Sequence, residues 1–223
     1  KKIQLNSCDN VYFVGSEDYV KKIVKHLTKH NKITKEFYLE LSKNQINNFF
    51  AFIYFGTEKI YACVDHCRSN PIFYYKEKNN FLISNDAYEI KSDNSNINDN
   101  NIEEGIMSGY VSNNETFYSN LYQMESGSYL EYVKSSRQLN IHRYYTYLPD
   151  KLVFQEEKYL FKEFDKIINN IILNLISMAN NSTIWIPLSG GRDSALIISK
   201  LIENNYKNVR AFTYGPFYNN EES

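Results

Sequence analysis

Six consecutive residues carry the clearest chemistry in this chain: Ser189, Gly190, Gly191, Arg192, Asp193 and Ser194. Backbone N–H groups that converge at a tight turn and run into a helix N-terminus make a cradle for an anion. Gly190 and Gly191 let the backbone turn and approach a phosphate without a Cβ in the way. Ser189 and Ser194 add hydroxyl donors. Asp193 is the odd member, because a carboxylate repels phosphate. It makes sense as a helix N-cap, or as a ligand to a divalent cation that bridges carboxylate and phosphate. No lysine stands where a P-loop nucleotide-binding motif needs one. The same spacing also fits a plain strand–turn–helix in which Asp193 or Ser194 is only a cap.

The elements that must position this loop are legible on both sides. Residues 184–188 (Ile-Trp-Ile-Pro-Leu) read as a buried strand, 195–203 as a helix and 209–214 as a second strand. Strand, helix and strand in this order make a βαβ unit with a parallel pair and a right-handed crossover. Before them, apolar residues at 160, 161, 164, 167, 168, 171, 172, 175 and 176 mark one face of a long amphipathic helix over 155–178. Two parallel strands alone leave faces and edges uncovered, so the chain is expected to be a piece of a larger domain.

Upstream of about residue 150 the pattern is different. Residues 11–14 read as a strand, and 17–29 and 34–46 have helical spacing. Short strands are expected at 49–55, 59–65, 71–76 and 81–84, with a turn at Gly56-Thr57-Glu58, and short turns imply antiparallel pairing. Residues 91–101 are polar and read as a loop, and 102–108 as a short helix. Strand character returns over 117–133 and 140–145.

Composition bounds the function. The chain has 223 residues, with 25 Lys+Arg against 26 Asp+Glu. That length fits one large domain or two small ones, and the balance argues against a nucleic-acid-binding protein, which needs clustered cations. No apolar run approaches a membrane span, residues 1–10 lack a signal-peptide layout, and three cysteines do not make a disulfide framework. A cytoplasmic protein is expected. Asn (29), Ile (23), Lys (20) and Tyr (20) are abundant while Gly (8) is scarce, so two adjacent glycines stand out against the background.

Weaker constellations favour structural roles. Cys63, His66 and Cys67, with Cys8, are zinc-ligand types, but their spacing suits buried core thiols better. His26 and His30 are four apart on a helix without the glutamate of a metalloprotease motif, and read as a solvated face. Arg192 is placed to touch a phosphate or carboxylate, or to be exposed. Tyr144, Tyr145 and Tyr147 read as a packing cluster.

The stretch SGGRDS at 189–194 resembles the SGGxDS pyrophosphate loop of the PP-loop ATP pyrophosphatases. The wider context, IWIPLSGGRDSALIISKL followed by VRAFTYG, resembles the asparagine synthetase family within them. The upstream stretches FFAFIYF, VDHCRSNPIFYY (64–75), NFLISNDAYEI, MSGYVSNNETFYSNLYQMESGSYL and IHRYY resemble, in order, that family's amino-terminal glutaminase domain. The resemblance covers about residues 49–223.

What it implies is an α/β chain. An αββα sandwich of the amino-terminal nucleophile (Ntn) hydrolase type would occupy 1–150. The start of a PP-loop parallel α/β domain, Rossmann-like and of the adenine nucleotide alpha hydrolase kind, would occupy 151–223. The activity implied is ATP-dependent ligation: a carboxylate is activated as an acyl-AMP with loss of pyrophosphate, and an amine displaces AMP. By position, Ser189, Gly190, Gly191, Asp193 and Ser194 would bind ATP phosphates, Asp193 would help hold Mg²⁺, and Leu188 and Phe212–Tyr214 would border the nucleotide. The implied partners are a small-molecule carboxylate and an amine donor, with no nucleic acid and no membrane, and a homodimer is an assembly open to such a chain.

The departures are specific. The family's glutamine-hydrolysing members begin with a nucleophilic Cys, whereas this chain begins Lys1-Lys2 with cysteines at 8, 63 and 67. The family's NGE and RL-i-D stretches are missing. Val64 stands for its first Arg in RDR, and Arg68 for the Gly of the same phrase. The glutaminase half therefore reads as degenerate. The rival readings are a nucleotide-binding scaffold without catalysis and a PP-loop tRNA-modifying enzyme, whose usual basic surface this charge balance lacks.

Overall fold

The computed structural model describes residues 2–4, 9–15, 49–91, 96–148 and 154–214, with residues 21–23, 25, 26, 29, 34, 36 and 37 between them. The chain divides into two compact units, Lys1–Pro149 and Asp150–Ser223.

The first unit is built from two antiparallel sheets. One contains β1 (Lys2–Gln4), β2 (Asn10–Val14), β3 (Ala51–Phe55), β4 (Lys59–Val64), β8 (Ser128–Val133) and β9 (Gln138–Arg143), side by side in the order β1-β2-β3-β4-β8-β9. The other contains β5 (Phe73–Glu77), β6 (Asn80–Ser84) and β7 (Leu121–Gln123), in the order β6-β5-β7. Two helices lie between β6 and β7 in sequence, α1 (Ala87–Ile90) and α2 (Asp99–Ser108).

Strand side chains alternate between faces, and here both faces of the larger sheet are buried. Phe52, Tyr54, Tyr61, Cys63 and Tyr129 point to one side, where helical Ile23 and Phe37 pack on them. Ala51, Ile53, Ile60, Ala62, Val64, Leu130 and Tyr132 point to the other and meet Tyr74, Phe81, Ile83 and Tyr122 of the smaller sheet. The smaller sheet's outer face packs Tyr75 and Leu121 against Ile90 and Ala87 of α1. The layers run helix, sheet, sheet, helix, and the continuous apolar character of β3 and β4 follows from burial on both faces.

Several boundaries differ from the sequence reading. The helix expected at 102–108 begins at Asp99, inside the expected loop, because Asn98 takes an extended cap conformation ahead of it. Residues 117–133 are two strands, β7 and β8, with Gly127 between them at φ 62°. A Cβ there would stand 2.6 Å from the Tyr145 carbonyl oxygen. Most of the helical spacing at 17–29 and 34–46 lies outside the described residues; of those described, 21–23, 25, 26, 29, 36 and 37 are helical.

The second unit contains α3 (Glu157–Ala179), β10 (Ile184–Pro187), α4 (Arg192–Glu203) and β11 (Val209–Phe212). Strands β10 and β11 pair in parallel, Ile184 opposite Val209 and Pro187 opposite Phe212. The apolar stripe of α3 is narrower than its periodicity suggests. Only the four-spaced row Ile168, Ile172 and Ile176 joins Ile186, Ile198 and Leu201 in a core, while Leu160, Phe161, Phe164, Ile167 and Ile171 are exposed. Strand β10 is likewise not buried throughout. Ile186 is 5% exposed but Trp185 is 58% exposed, because the helices cover one face of the strand pair. Trp185 stands on the other face, with the Arg210 guanidinium 5.6 Å from its ring. Among the described residues no helix is long and apolar enough to cross a membrane.

Candidate functional site

The loop singled out by its chemistry connects β10 to α4. Leu188 continues the strand pairing, its N–H donating to the Phe212 carbonyl at 2.8 Å. That bond brings the carboxyl ends of β10 and β11 side by side. Ser189, Gly190 and Gly191 follow, all exposed. Gly190 sits at φ 71°, in the left-handed region where a side chain is disfavoured. Gly191 is the helix N-cap, at φ −77° and ψ 158°, and makes no side-chain cap bond.

Two readings of the loop are corrected here. The helix starts at Arg192 rather than Ala195, so neither Asp193 nor Ser194 is the cap; Asp193 lies in the first turn. Apolar periodicity is blind to this because the first turn is Arg-Asp-Ser. The Ser194 hydroxyl turns back onto the loop and donates to the Gly191 carbonyl at 3.2 Å. Only Gly190 is a glycine for the turn. Gly191 is extended, and a Cβ on it would meet nothing closer than Ser189 Oγ at 3.4 Å.

The first-turn N–H groups of Arg192, Asp193 and Ser194 have no helical carbonyl to bond, and no side chain caps them. They project at an exposed helix start beside the strand ends. Arg192 and Asp193 are exposed and make no ion pair among the described residues. Tyr214, two residues past β11, is 83% exposed and is not drawn onto the loop. The helix carrying the loop is clamped to α3: Lys200 Nζ contacts Asp165 Oδ1 at 2.6 Å and Glu203 Oε2 at 2.7 Å, and Asn204 donates to Asn169 Oδ1 at 2.8 Å. The bonds to Asp165 and then Glu203 raise the Lys200 pKa above its usual 10.5.

The polar groups of the first unit are arranged differently. Asp65 is 2% exposed. Its carboxylate accepts N–H bonds from Phe50 at 3.0 Å, Cys67 at 2.9 Å and Ser69 at 3.2 Å. Its own carbonyl accepts from Arg68 and Gly127. This anchor ties β3, the end of β4 and the start of β8 together. Sequence reasoning passed over it, although an Asp at a strand end ahead of a Cys-Arg-Ser turn is a signal for such an arrangement. Arg68, at the position of the glycine in the resembled phrase, keeps a left-handed φ of 53° and bonds Gln123.

Cys63 is fully buried, and burial pushes its thiol well above the ordinary range. Cys67 is exposed rather than a core thiol, because β4 has ended at Val64. Among the described residues no group of three or more His, Cys, Asp or Glu could hold a metal ion; Cys8 and His30 lie outside them. His26 stacks on Phe37 at 3.8 Å and is not on a freely solvated face. His66 stacks on Tyr145 at 3.6 Å, and burial lowers its pKa below 6.5 against the opposing pull of Asp65. Tyr144 is buried, its hydroxyl donating to the Val64 carbonyl, while Tyr147 is 86% exposed and leaves the cluster.

No protein-family model matches the chain, and no curated protein does. Among solved structures, a glutamine phosphoribosylpyrophosphate (PRPP) amidotransferase from B. subtilis, complexed with ADP and GMP, is 11% identical over 65% of this chain and 31% of its own, with a TM-score of 0.31. A structure of the allosteric regulatory enzyme of purine biosynthesis is 10% identical over 98% of this chain and 48% of its own, with a TM-score of 0.32. The chain thus spans less than half the length of either. Superpositions this loose leave the fold to be read from the chain itself.

Proposed function

We propose that the 189–194 loop binds the phosphates of ATP and that the parent activity is AMP-forming amide ligation of the asparagine synthetase kind. The observation that carries this reading is the pairing of the SGGRDS sequence with a strand–loop–helix whose first-turn N–H groups are exposed and uncapped.

In this reading the N–H groups of Gly191 to Ser194 and the Ser189 hydroxyl hold the pyrophosphate portion. Gly191 admits it closely because nothing of its own side chain intervenes. Leu188, Phe212 and Tyr214 border the nucleotide at the carboxyl ends of the parallel strands, the usual ligand position in such sheets. Asp193 is a fit for Mg²⁺, which takes one or two carboxylates and completes its shell with phosphate oxygens and water. The ion, when bound, would neutralise phosphate charge as pyrophosphate leaves. Arg192, beside it, is free to pair with phosphate or with the carboxylate being activated.

The first unit would be a glutaminase-like scaffold of the Ntn type whose glutamine-binding stretches are degenerate. Its thiol at Cys63 is buried and held protonated. The amine would then come from ammonia or from a substrate amino group. ATP–pyrophosphate exchange against a panel of carboxylates tests the reading. Exchange stimulated by one class of carboxylate is expected, with no glutamate released from glutamine. Absence of exchange with every carboxylate would favour the non-catalytic scaffold.

A further inference from the structure

The two sheets of the first unit are unequal, and the mismatch leaves a cleft. Strands β3, β4 and β8 are covered by the smaller sheet, while β2 overhangs it. The side chains of β2 on that face, Tyr12 and Val14, are 42% and 48% exposed. Two adjoining hollows, about 390 and 480 Å³, lie between β2 and the rim of the smaller sheet and share Tyr12, Ile53 and Asn85. Each is within the range of small-molecule pockets.

We propose that this cleft binds a small apolar molecule carrying a protonated amino group. Two features select that chemistry. The floor is apolar: Ile53 lies beside Tyr12 and Phe55, whose rings meet edge to face at 5.7 Å, and aromatic faces attract cations. The charge is one-sided among the described residues: Glu89 lines the cleft, its carboxylate bonded there only by the Ser84 hydroxyl at 2.6 Å, and no described lysine, arginine or histidine lines either hollow. An anion would meet a carboxylate and no counter-charge. A neutral apolar molecule would leave the Glu89 charge unmatched, whereas an ammonium would offset it.

This proposal does not depend on the reading of the 189–194 loop. The test is a titration of the full chain, followed by amide chemical shifts, with 2-phenylethylamine, 2-phenylethanol and 3-phenylpropionate. The amine is expected to bind about fivefold more tightly than either other probe, the upper scale of one exposed charge contact, with shifts centred on residues 10–14, 53 and 83–85. Glu89→Gln should bring the amine to the level of the alcohol, Glu103→Gln on α2 should change nothing, and Tyr12→Ala should weaken amine and alcohol alike. Propionate binding as tightly as amine, shifts elsewhere, or an unchanged amine affinity in Glu89→Gln would overturn the proposal.

Discussion

The two units treat their polar groups in opposite ways. In the first, Asp65 is buried and accepts three backbone N–H bonds, and the Tyr144 hydroxyl is spent on the Val64 carbonyl. In the second, the 189–194 loop leaves its first-turn N–H groups, Asp193 and Arg192 exposed. Saturated polar groups inside a core fix a shape. Unsaturated ones at a surface turn are available to a ligand. The contrast makes Asp65 architectural and leaves the groups of the 189–194 loop open to solvent, although Asp65 and Asp193 are alike in type.

The largest effects that could break this contrast are on stability. Phe52→Ala, in a core residue 1% exposed, should destabilise the first unit by about 3–5 kcal/mol in denaturant unfolding. Asp65→Ala strands several buried donors and should cost roughly 2–4 kcal/mol. If Asp65→Ala instead left stability unchanged and altered a catalytic rate, Asp65 would belong with the functional groups.

The two glycines divide the loop more finely. Gly190→Ala forces a side chain into the left-handed region and should cost about 1–2 kcal/mol in the second unit. Gly191→Ala should leave stability within ~0.5 kcal/mol, since its backbone is extended and the nearest neighbour of a Cβ is Ser189 Oγ. It should nonetheless weaken ATP binding, because the added methyl group stands where phosphate approaches. Equal effects of the two substitutions on stability would remove the distinction.

The smallest effects are in pH dependence. The Tyr54 hydroxyl donates to Asp9 at 3.1 Å, and burial with the Asp9 charge pushes its pKa up to about 12 from 10.0. A raised pKa gives stability that is complete below pH 10 and lost as pH rises toward 12. Tyr54→Phe should flatten that part of the unfolding profile. His66 is the mirror case. Its lowered pKa gives stability present above pH 6.5 and lost as pH falls through the folded value, so His66→Phe, which keeps a ring against Tyr145, should reduce acid sensitivity.

Much of this was legible in the sequence, for reasons that differ by region. The two-sided burial of β3 and β4 and the turn at Gly56 follow from residues that are apolar on both faces and then abruptly are not. The strand–loop–helix at 184–203 was legible from two glycines in a chain poor in them. The helix start at Arg192 was not, because first-turn residues are polar and carry no periodic signal. Nor was the narrow contact row of α3: periodicity shows which residues could be buried, while the partner decides which are. The cleft over β2 was invisible because it arises from the unequal widths of two sheets, a property of pairing at long range.

The most direct measurement is a calorimetric titration of the full chain with ATP·Mg²⁺, set beside Asp193→Ala. Saturable binding to the unaltered chain is expected, weakened about tenfold or more in the variant, a difference of ~1.4 kcal/mol. Equal affinity in the two proteins, or no binding to the unaltered chain, would contradict the assignment of the loop.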